Sequence, residues 1–266
     1  MPGAPIPYKT LVHKDIDTDL SENHPARLSL SSGVYPLRKN GYYAFLCSGR
    51  SRSNIKSPKL LALGFDGIVA ACGTHIEFEG EKLFELLLTK EQIGHILAVL
   101  RKHQIPMVLE GPNYIYVDEK DFVDDPYVIY LRNELGENLK SITGTAQYEV
   151  NKLSAELGNA DVELVRKELG TEFDMIVHEP DGILEIGQAG HSKASGIERL
   201  CESLGIAKED TYAFGDSAND VEMLEFVAHG IAMGNGTDVA KNAAEFVTTD
   251  IHKDGIWNGL KHYGLI

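Results

Sequence analysis

YAFGDSANDVEML, Tyr212 to Leu224, decides the fold. It opens as a short apolar run and closes as an amphipathic one, so a strand gives way to a helix near Gly215. Two carboxylates, Asp216 and Asp220, flank Asn219 at that junction. Open α/β sheets hold charged ligands outside the carboxyl ends of their strands. Carboxylates placed there can converge on a hard cation such as Mg²⁺, which takes oxygen ligands and keeps several waters. The same residues also read as a plain helix start, with Ser217 or Asn219 as the cap and Asp220 favoured in the first turn by the helix dipole. Gly215 reads as the residue that permits a tight turn.

Working outward, short apolar runs alternate with amphipathic helices from about residue 40. That is the pattern of parallel strands joined by crossover helices. YYAFLC (42–47), GIVAAC (67–72), Tyr212–Phe214, Gly230–Met233 and Phe246–Thr248 are the expected strands. Ile197, Leu200, Cys201 and Leu204 share one helical face that Gly205 ends, and Val221, Leu224 and Val227 share another. Residues 81–187 differ in texture. There EQIGHILAVLRKH is a helix followed by strand-like MVLEG and YIYV, and ADVELVRKEL is a helix followed by FDMIVHE and ILEIG. The expectation is an α+β insertion at 81–187 within a core made of 1–80 and 188–266. Residues 21–37, broken by Pro25, Gly33 and Pro36, read as loop.

The chain has 266 residues, 43% of them hydrophobic, enough to bury a core and an inserted unit. Forty acidic against 25 basic residues leave a formal net charge of −15, which argues against nucleic acid and anionic membranes as partners. A chain this acidic needs a metal if it is to handle an anion. Cys47, Cys72 and Cys201 show neither zinc nor disulfide spacing, so a reducing cytoplasm is expected. The opening MPGAPIPYK reads as neither signal peptide nor anchor.

Three further stretches carry candidate chemistry. In TLVHKDIDTDL, Asp15 and Asp17 would point the same way from an extended segment and could share a cation or divide nucleophilic and proton-transfer roles; a solvated acidic turn is the bland reading. In FLCSGR, Ser48 ends an apolar strand, Gly49 permits a turn and Arg50 follows, a place where hydroxyl and amide donors could bind a phosphate or simply turn the chain. In GQAGHSKASGIERL, Lys193 stands at a helix start, unfavourable for a cation unless an anion lies nearby; alone it reads as a surface residue.

Taken in order, the acidic pair, the strand with Ser48, Lys193 before a helix and the strand with GDSAND resemble the haloacid dehalogenase superfamily, in particular its Cof-like (type IIB) phosphatases. The resemblance runs from about Lys9 to the end. It is most specific in SKASGIERLCESLGI, TYAFGDSANDVEML, GIAMGNGTDVAKNAAEFVT and DGIW. It implies a doubly wound, mainly parallel core with an inserted α+β cap, and a Mg²⁺-dependent phosphatase of small phosphorylated metabolites. By that resemblance Asp15 is the nucleophile and Asp17 the general acid and base. Ser48, with Gly49 and Arg50, and Lys193 and Asn219 hold the phosphoryl group. The metal set is Asp15, Asp17 through its carbonyl, and Asp216, with Asp220 in support. A monomer or homodimer is expected.

The first motif departs from the family's Asp-x-Asp-Gly-Thr, reading Asp15-Ile16-Asp17-Thr18-Asp19. Thr18 replaces a glycine whose backbone freedom it lacks, and Asp19 adds negative charge near an incoming phosphate. His13 and Lys14 stand where a buried parallel strand is normally apolar. Divergence toward a non-catalytic protein and a local error in the recorded sequence over about 13–38 are both readings of this. The alternatives to a phosphatase are therefore a relative that binds a phosphorylated ligand or partner without turnover, and a phosphosugar mutase. In ACGTHI, Cys72 replaces a common asparagine and is expected in the core.

Overall fold

The structure, a computed structural model, describes residues 10–14, 33–118, 120, 122, 126–143, 147–178 and 182–266. Packing divides the chain into two compact units. One is Met1–Gly49, Lys56–Phe84 and Ser192–Ile266; the other is Arg50–Ile55 and Glu85–His191. In chain order the strands are β1 (Thr10–Lys14), β2 (Tyr43–Cys47), β3 (Gly67–Ala70), β4 (His75–Phe78) and β5 (Glu81–Glu85). There follow β6 (Met107–Glu110), β7 (Ile115–Val117), β8 (Leu139–Ser141), β9 (Lys152–Glu156), β10 (Phe173–His178) and β11 (Ile183–Gln188). Last come β12 (Thr211–Gly215), β13 (His229–Ala232) and β14 (Phe246–Val247). No described helix is long and apolar enough to cross a membrane.

The first unit is built on a sheet of order β14-β13-β12-β1-β2-β3-β4-β5, in which every pairing from β14 through to β3 is parallel. The chain runs from β1 outward to β3 on one side and from β12 outward to β14 on the other. The switch point of a doubly wound sheet therefore lies between β1 and β12. Strand residues alternate between two cores. Ala44, Tyr212, Phe214 and Ile231 pack on Ile256 and Leu260 of the helix Gly255–His262, with Val34 and Leu37. Phe45, Cys47, Val69 and Ala213 pack on Ile197, Leu200 and Cys201 of the helix Lys193–Leu204, with Met223. Helices thus cover both faces, as the alternating pattern requires.

One expectation changes here. Residues 33–39 are helical rather than loop. Gly33 and Pro36 hid the period, yet Val34 and Leu37 are buried three positions apart and supply the apolar stripe that tertiary packing needs. His13 and Lys14 do not prevent β1 from forming: Thr10–Lys14 is hydrogen-bonded in parallel to β12 on one side and β2 on the other. Two flanking ladders outweigh the poor strand composition.

The second unit carries a sheet of order β10-β11-β9-β6-β7-β8, antiparallel except where β7 meets β8. One face packs Met107, Leu109, Leu153, Ala155, Leu184 and Ile186 against the amphipathic helices Lys90–Lys102 and Val162–Leu169. On the other face Val108, Ile115 and Val117 meet Val128, Leu131 and Leu135 of the helix Pro126–Leu135.

A single carboxylate ties the 33–39 helix to the first sheet. Arg38 donates from Nε to Asp66 Oδ1 at 2.9 Å, with Nη2 at 2.7 Å, while the Ala44 amide donates to Asp66 Oδ2 at 2.8 Å. Asp66 is 9% exposed. Asp66→Ala would strand the Ala44 amide in a dry setting, and a loss of about 1–3 kcal/mol in urea unfolding is expected. Asp66→Asn, which keeps an acceptor, should lose less.

Candidate active site

Strand register brings the ends of β1, β2 and β12 to one edge of the first sheet. Lys14 is level with Cys47, and His13 with Phe214. β1 therefore ends on the residue before Asp15, β2 on the residue before Ser48, and β12 on the residue before Asp216. All three strands run the same way, so all three end at the switch-point edge. Asp15 and Asp17 themselves lie outside the described residues, as do Thr18 and Asp19.

Lys193 is the first residue of its helix and only 3% exposed, so the surface reading is wrong. Its backbone entry is set by a capping box between Ser192 and Ser195. The anion that its position demanded belongs to the chain: the Lys193 ammonium donates to Asp220 Oδ1 at 2.8 Å. Burial pulls the lysine pKa down, but the Asp220 carboxylate, aided by the thiols of Cys47 and Cys72, outweighs burial and holds it above the ordinary range.

Asp220 has no exposed surface. Its Oδ2 accepts the amides of Asp216 at 3.0 Å and Ser217 at 3.1 Å. The helix-cap reading of GDSAND is present, since Ser217 forms a capping box with Asp220, and the same carboxylate grips Lys193. One oxygen holds the loop and the other holds the lysine. Asp220 therefore stands behind the loop, and Asp216, half-buried, is carried at its front. The Ser217 hydroxyl donates to Asn219 Oδ1 at 2.6 Å, fixing the amide's orientation.

Gly215 serves close approach rather than a tight turn. A Cβ there would meet Asp220 Cβ at 2.7 Å and Leu224 Cδ1 at 3.2 Å, so only glycine lets the carboxylate fold back under the strand end. On the other side, the Thr237 amide donates to the Asp216 carbonyl at 2.8 Å, and Gly236 approaches so closely that a Cβ would lie 3.0 Å from Asp216 Cα. The GNGTD loop that follows β13 thus clasps Asp216 from beyond. Sequence reasoning did not single out Gly236, although the glycine pair in GNGTD was a signal.

Ser48 is buried, its amide donating to the Val69 carbonyl at 2.8 Å and its carbonyl accepting the Cys72 amide at 3.3 Å. Cys72 is half-buried and belongs to neither core cluster of this unit, against expectation. Ala71, Cys72 and Gly73 have φ of 49°, 52° and 85°, so three consecutive residues are left-handed. Such a turn costs on the order of 1–2 kcal/mol for each non-glycine residue. It presses Gly73 onto the lysine helix, where a Cβ would lie 2.3 Å from the Ser192 carbonyl and 2.9 Å from Gly196 Cα. Gly49 closes its segment of the first unit, whereas Arg50 groups with the second, in Arg50–Ile55.

The sequence and the fold have counterparts among known proteins. The family model of haloacid dehalogenase-like hydrolases matches residues 15–260. YkrA of Bacillus subtilis is 32% identical over 277 residues, covering 96% of this chain and 98% of its own length. The Bacillus subtilis 5-amino-6-(5-phospho-D-ribitylamino)uracil phosphatase YitU is 36% identical over 138 residues, 50% of this chain and 47% of its own. In fold, the subclass IIB sugar phosphatase BT4131 superposes with a TM-score of 0.80 at 23% identity, covering 97% of this chain and all of that one. The chain belongs to the haloacid dehalogenase-like hydrolases, in their Cof-like branch. By that membership it is a phosphoric monoester hydrolase.

Breaking the buried pair from one side leaves an uncompensated charge. Lys193→Met and Asp220→Ala are each expected to cost about 3–5 kcal/mol, and the double variant far less than their sum, in a denaturation cycle. The lysine pKa is raised on folding, so its contribution is complete below the ordinary value of 10.5 and lost as pH climbs beyond it. Alkaline titration of stability should show that loss in the parent and not in Lys193→Met.

Proposed function

We propose that the chain is a Mg²⁺-dependent phosphatase of small phosphorylated metabolites that works through an aspartyl-phosphate on Asp15, with the inserted unit as its cap. The observation that carries this reading is the common ending of β12, β1 and β2 immediately before Asp216, Asp15 and Ser48. Support for the metal comes from donor chemistry. Asp216 offers a hard oxygen donor of the kind Mg²⁺ takes, on a loop braced by Asp220 and Thr237. Among the described residues no group of three or more histidine, cysteine, aspartate or glutamate side chains is placed to hold a metal, so the set depends on Asp15 and the Asp17 carbonyl to complete it. Bound there, Mg²⁺ would supply charge neutralisation for the phosphoryl oxygens.

The chain's own groups do the rest. Ser48 donates to a phosphoryl oxygen, and Lys193 supplies a positive charge that the neighbouring Asp220 carboxylate favours. Gly49 and Asn219 complete the phosphate's donors. Asp15 attacks the phosphorus and Asp17 delivers a proton to the leaving oxygen, then takes one from the attacking water, dividing a hard hydrolysis into two steps. Phosphoryl transfer is chiefly positioning and electrostatics, and a buried lysine fixed within hydrogen-bond distance of a buried carboxylate is well suited to that task.

Purified protein should release phosphate from p-nitrophenyl phosphate with Mg²⁺ and stop when EDTA is added. Asp15→Asn and Asp216→Asn should each lower kcat by about a hundredfold or more. Unchanged turnover in Asp15→Asn would remove the covalent step. The reading of DIDTD as a binder without turnover predicts instead that phosphorylated ligands raise Tm while no phosphate appears.

A further inference from the structure

The GNGTD loop, Gly234 to Asp238, and the TDIHKDGIW stretch, Thr249 to Trp257, follow the parallel strands β13 and β14 at one edge of the first sheet. The ladder between those strands continues into both. The Thr248 amide donates to the Ala232 carbonyl at 2.9 Å, and the Gly234 amide donates to the Thr249 carbonyl at 3.1 Å. The segments lie so close that a Cβ on Gly234 would stand 2.6 Å from the Asp250 amide nitrogen. Gly236 is held to glycine by Asp216 in the same way, its Cβ falling 3.0 Å from Asp216 Cα. Asn235 therefore carries the only side chain in the Gly-Asn-Gly run, between two residues with much backbone freedom to lose.

That side chain ties the loop down. Asn235 Oδ1 accepts the Ile251 amide at 2.9 Å, across 16 residues. Ile251 opens the short helical turn Ile251–Lys253, and the first amides of such a turn have no partner within it. The Asp250 side chain takes the His252 amide at 2.8 Å, and Asn235 takes the Ile251 amide from outside. The turn is secured in its own right. Thr249 Oγ1 donates to the Lys253 carbonyl at 2.8 Å, and Asn258 Nδ2 donates to Thr249 Oγ1 at 2.8 Å and to the Lys253 carbonyl at 3.0 Å. Asn258 belongs to the helix Gly255–His262, whose Ile256 and Leu260 are buried with Phe214 and Ile231. At its far end the loop meets Asp216, whose carbonyl accepts the Thr237 amide at 2.8 Å. A path of hydrogen bonds thus runs from a helix packed in the core, through the Thr249–Lys253 turn and Asn235, to the loop that clasps Asp216.

Mg²⁺ demands near-ideal octahedral geometry, and the groups that orient a metal ligand from behind set the affinity almost as much as the ligand does. We propose that Asn235 is a positioning residue for the metal: by capping Ile251 it fixes the GNGTD loop against Asp216 and so sets how tightly Mg²⁺ is held. This rests on the reading of Asp216 as a Mg²⁺ ligand and deepens it. Asn235 acts through the Thr237 amide rather than on the metal or the phosphate.

The test is a titration of Mg²⁺ into metal-free protein, with the dissociation constant read by calorimetry and Tm measured in EDTA beside it. Asn235→Ala should weaken Mg²⁺ binding by about fivefold, the size expected of one hydrogen bond of ordinary net strength. Asn235→Asp keeps the acceptor oxygen and should bind at least as tightly as the parent. Ile251→Pro removes the same bond from the donor side. Asp250, at φ −56° and ψ 148°, already has the extended backbone that precedes a proline, and proline suits the first position of a helical turn. This variant too should lose about fivefold, and the double variant no more than about fivefold, because both changes delete one interaction. Phosphate release should need about fivefold more Mg²⁺ in each, with kcat at saturating Mg²⁺ within about twofold of the parent. A lower Tm with an unchanged Mg²⁺ constant in Asn235→Ala, or losses that multiply in the double variant, would overturn the proposal. Asp216→Asn separates the two readings. If it leaves the Mg²⁺ constant unchanged, the metal reading fails and takes the positioning role with it; a large loss there with none in Asn235→Ala overturns the positioning role alone.

Discussion

The contact between Lys193 and Asp220 is the constraint on which the catalytic unit is organised. It joins residues 27 apart in sequence, both nearly free of solvent, at 2.8 Å. Burying either charge alone would be prohibitive, so the amino end of the lysine helix and the carboxyl end of β12 have to arrive together. Everything near the pair is shaped to permit that meeting. Gly215 lets Asp220 fold back beneath the strand, and Gly196 lets the helix lie against the left-handed turn at Gly73. Asp220 then uses its second oxygen to hold the Asp216 and Ser217 amides. Asp216 is presented because its neighbour four residues on is hidden.

The same physics is used differently in the inserted unit. There a lysine is again buried with carboxylates, Lys152 Nζ lying 2.6 Å from Glu185 Oε2 and 3.7 Å from Glu110 Oε1. At the outer end of this group His178 Nε2 stands 3.5 Å from the same Glu185 oxygen. In the catalytic unit the buried pair holds the start of the lysine helix to the loop after β12.

Much of the fold was legible because parallel strands buried on both faces read as continuous apolar runs, and YYAFLC, GIVAAC and TYAFG do so. The boundaries at Tyr43–Cys47, Gly67–Ala70 and Thr211–Gly215 follow those runs within two residues or fewer. Gly205 ends its helix in the left-handed conformation that its identity suggested. The 33–39 helix was not legible, since a stripe of two buried residues around Pro36 signals nothing until Leu260 and Ile256 are there to receive it. β1 was legible as a strand weakened by His13 and Lys14, and its two neighbouring ladders hold it in place. Cys72 was placed in the core because cysteine is usually apolar in its preferences, and its left-handed backbone beside Ser48 could be known only from the turn that Gly73 makes against the helix.

By itself the sequence determined the alternation of strands and helices, the family, and the residue types available for chemistry at Asp15, Ser48, Lys193 and Asp216. These depend on local periodicity and on spacing along the chain, which survive without coordinates. Only the tertiary structure decided that the partner of Lys193 is Asp220, that Gly215 and Gly236 are there for close approach, that Arg50 travels with the inserted unit, and that Lys152 is shared by two carboxylates. Each of these is a meeting of groups distant in sequence, and the free energy of a buried charge depends on what surrounds it in space, not on what precedes it in the chain.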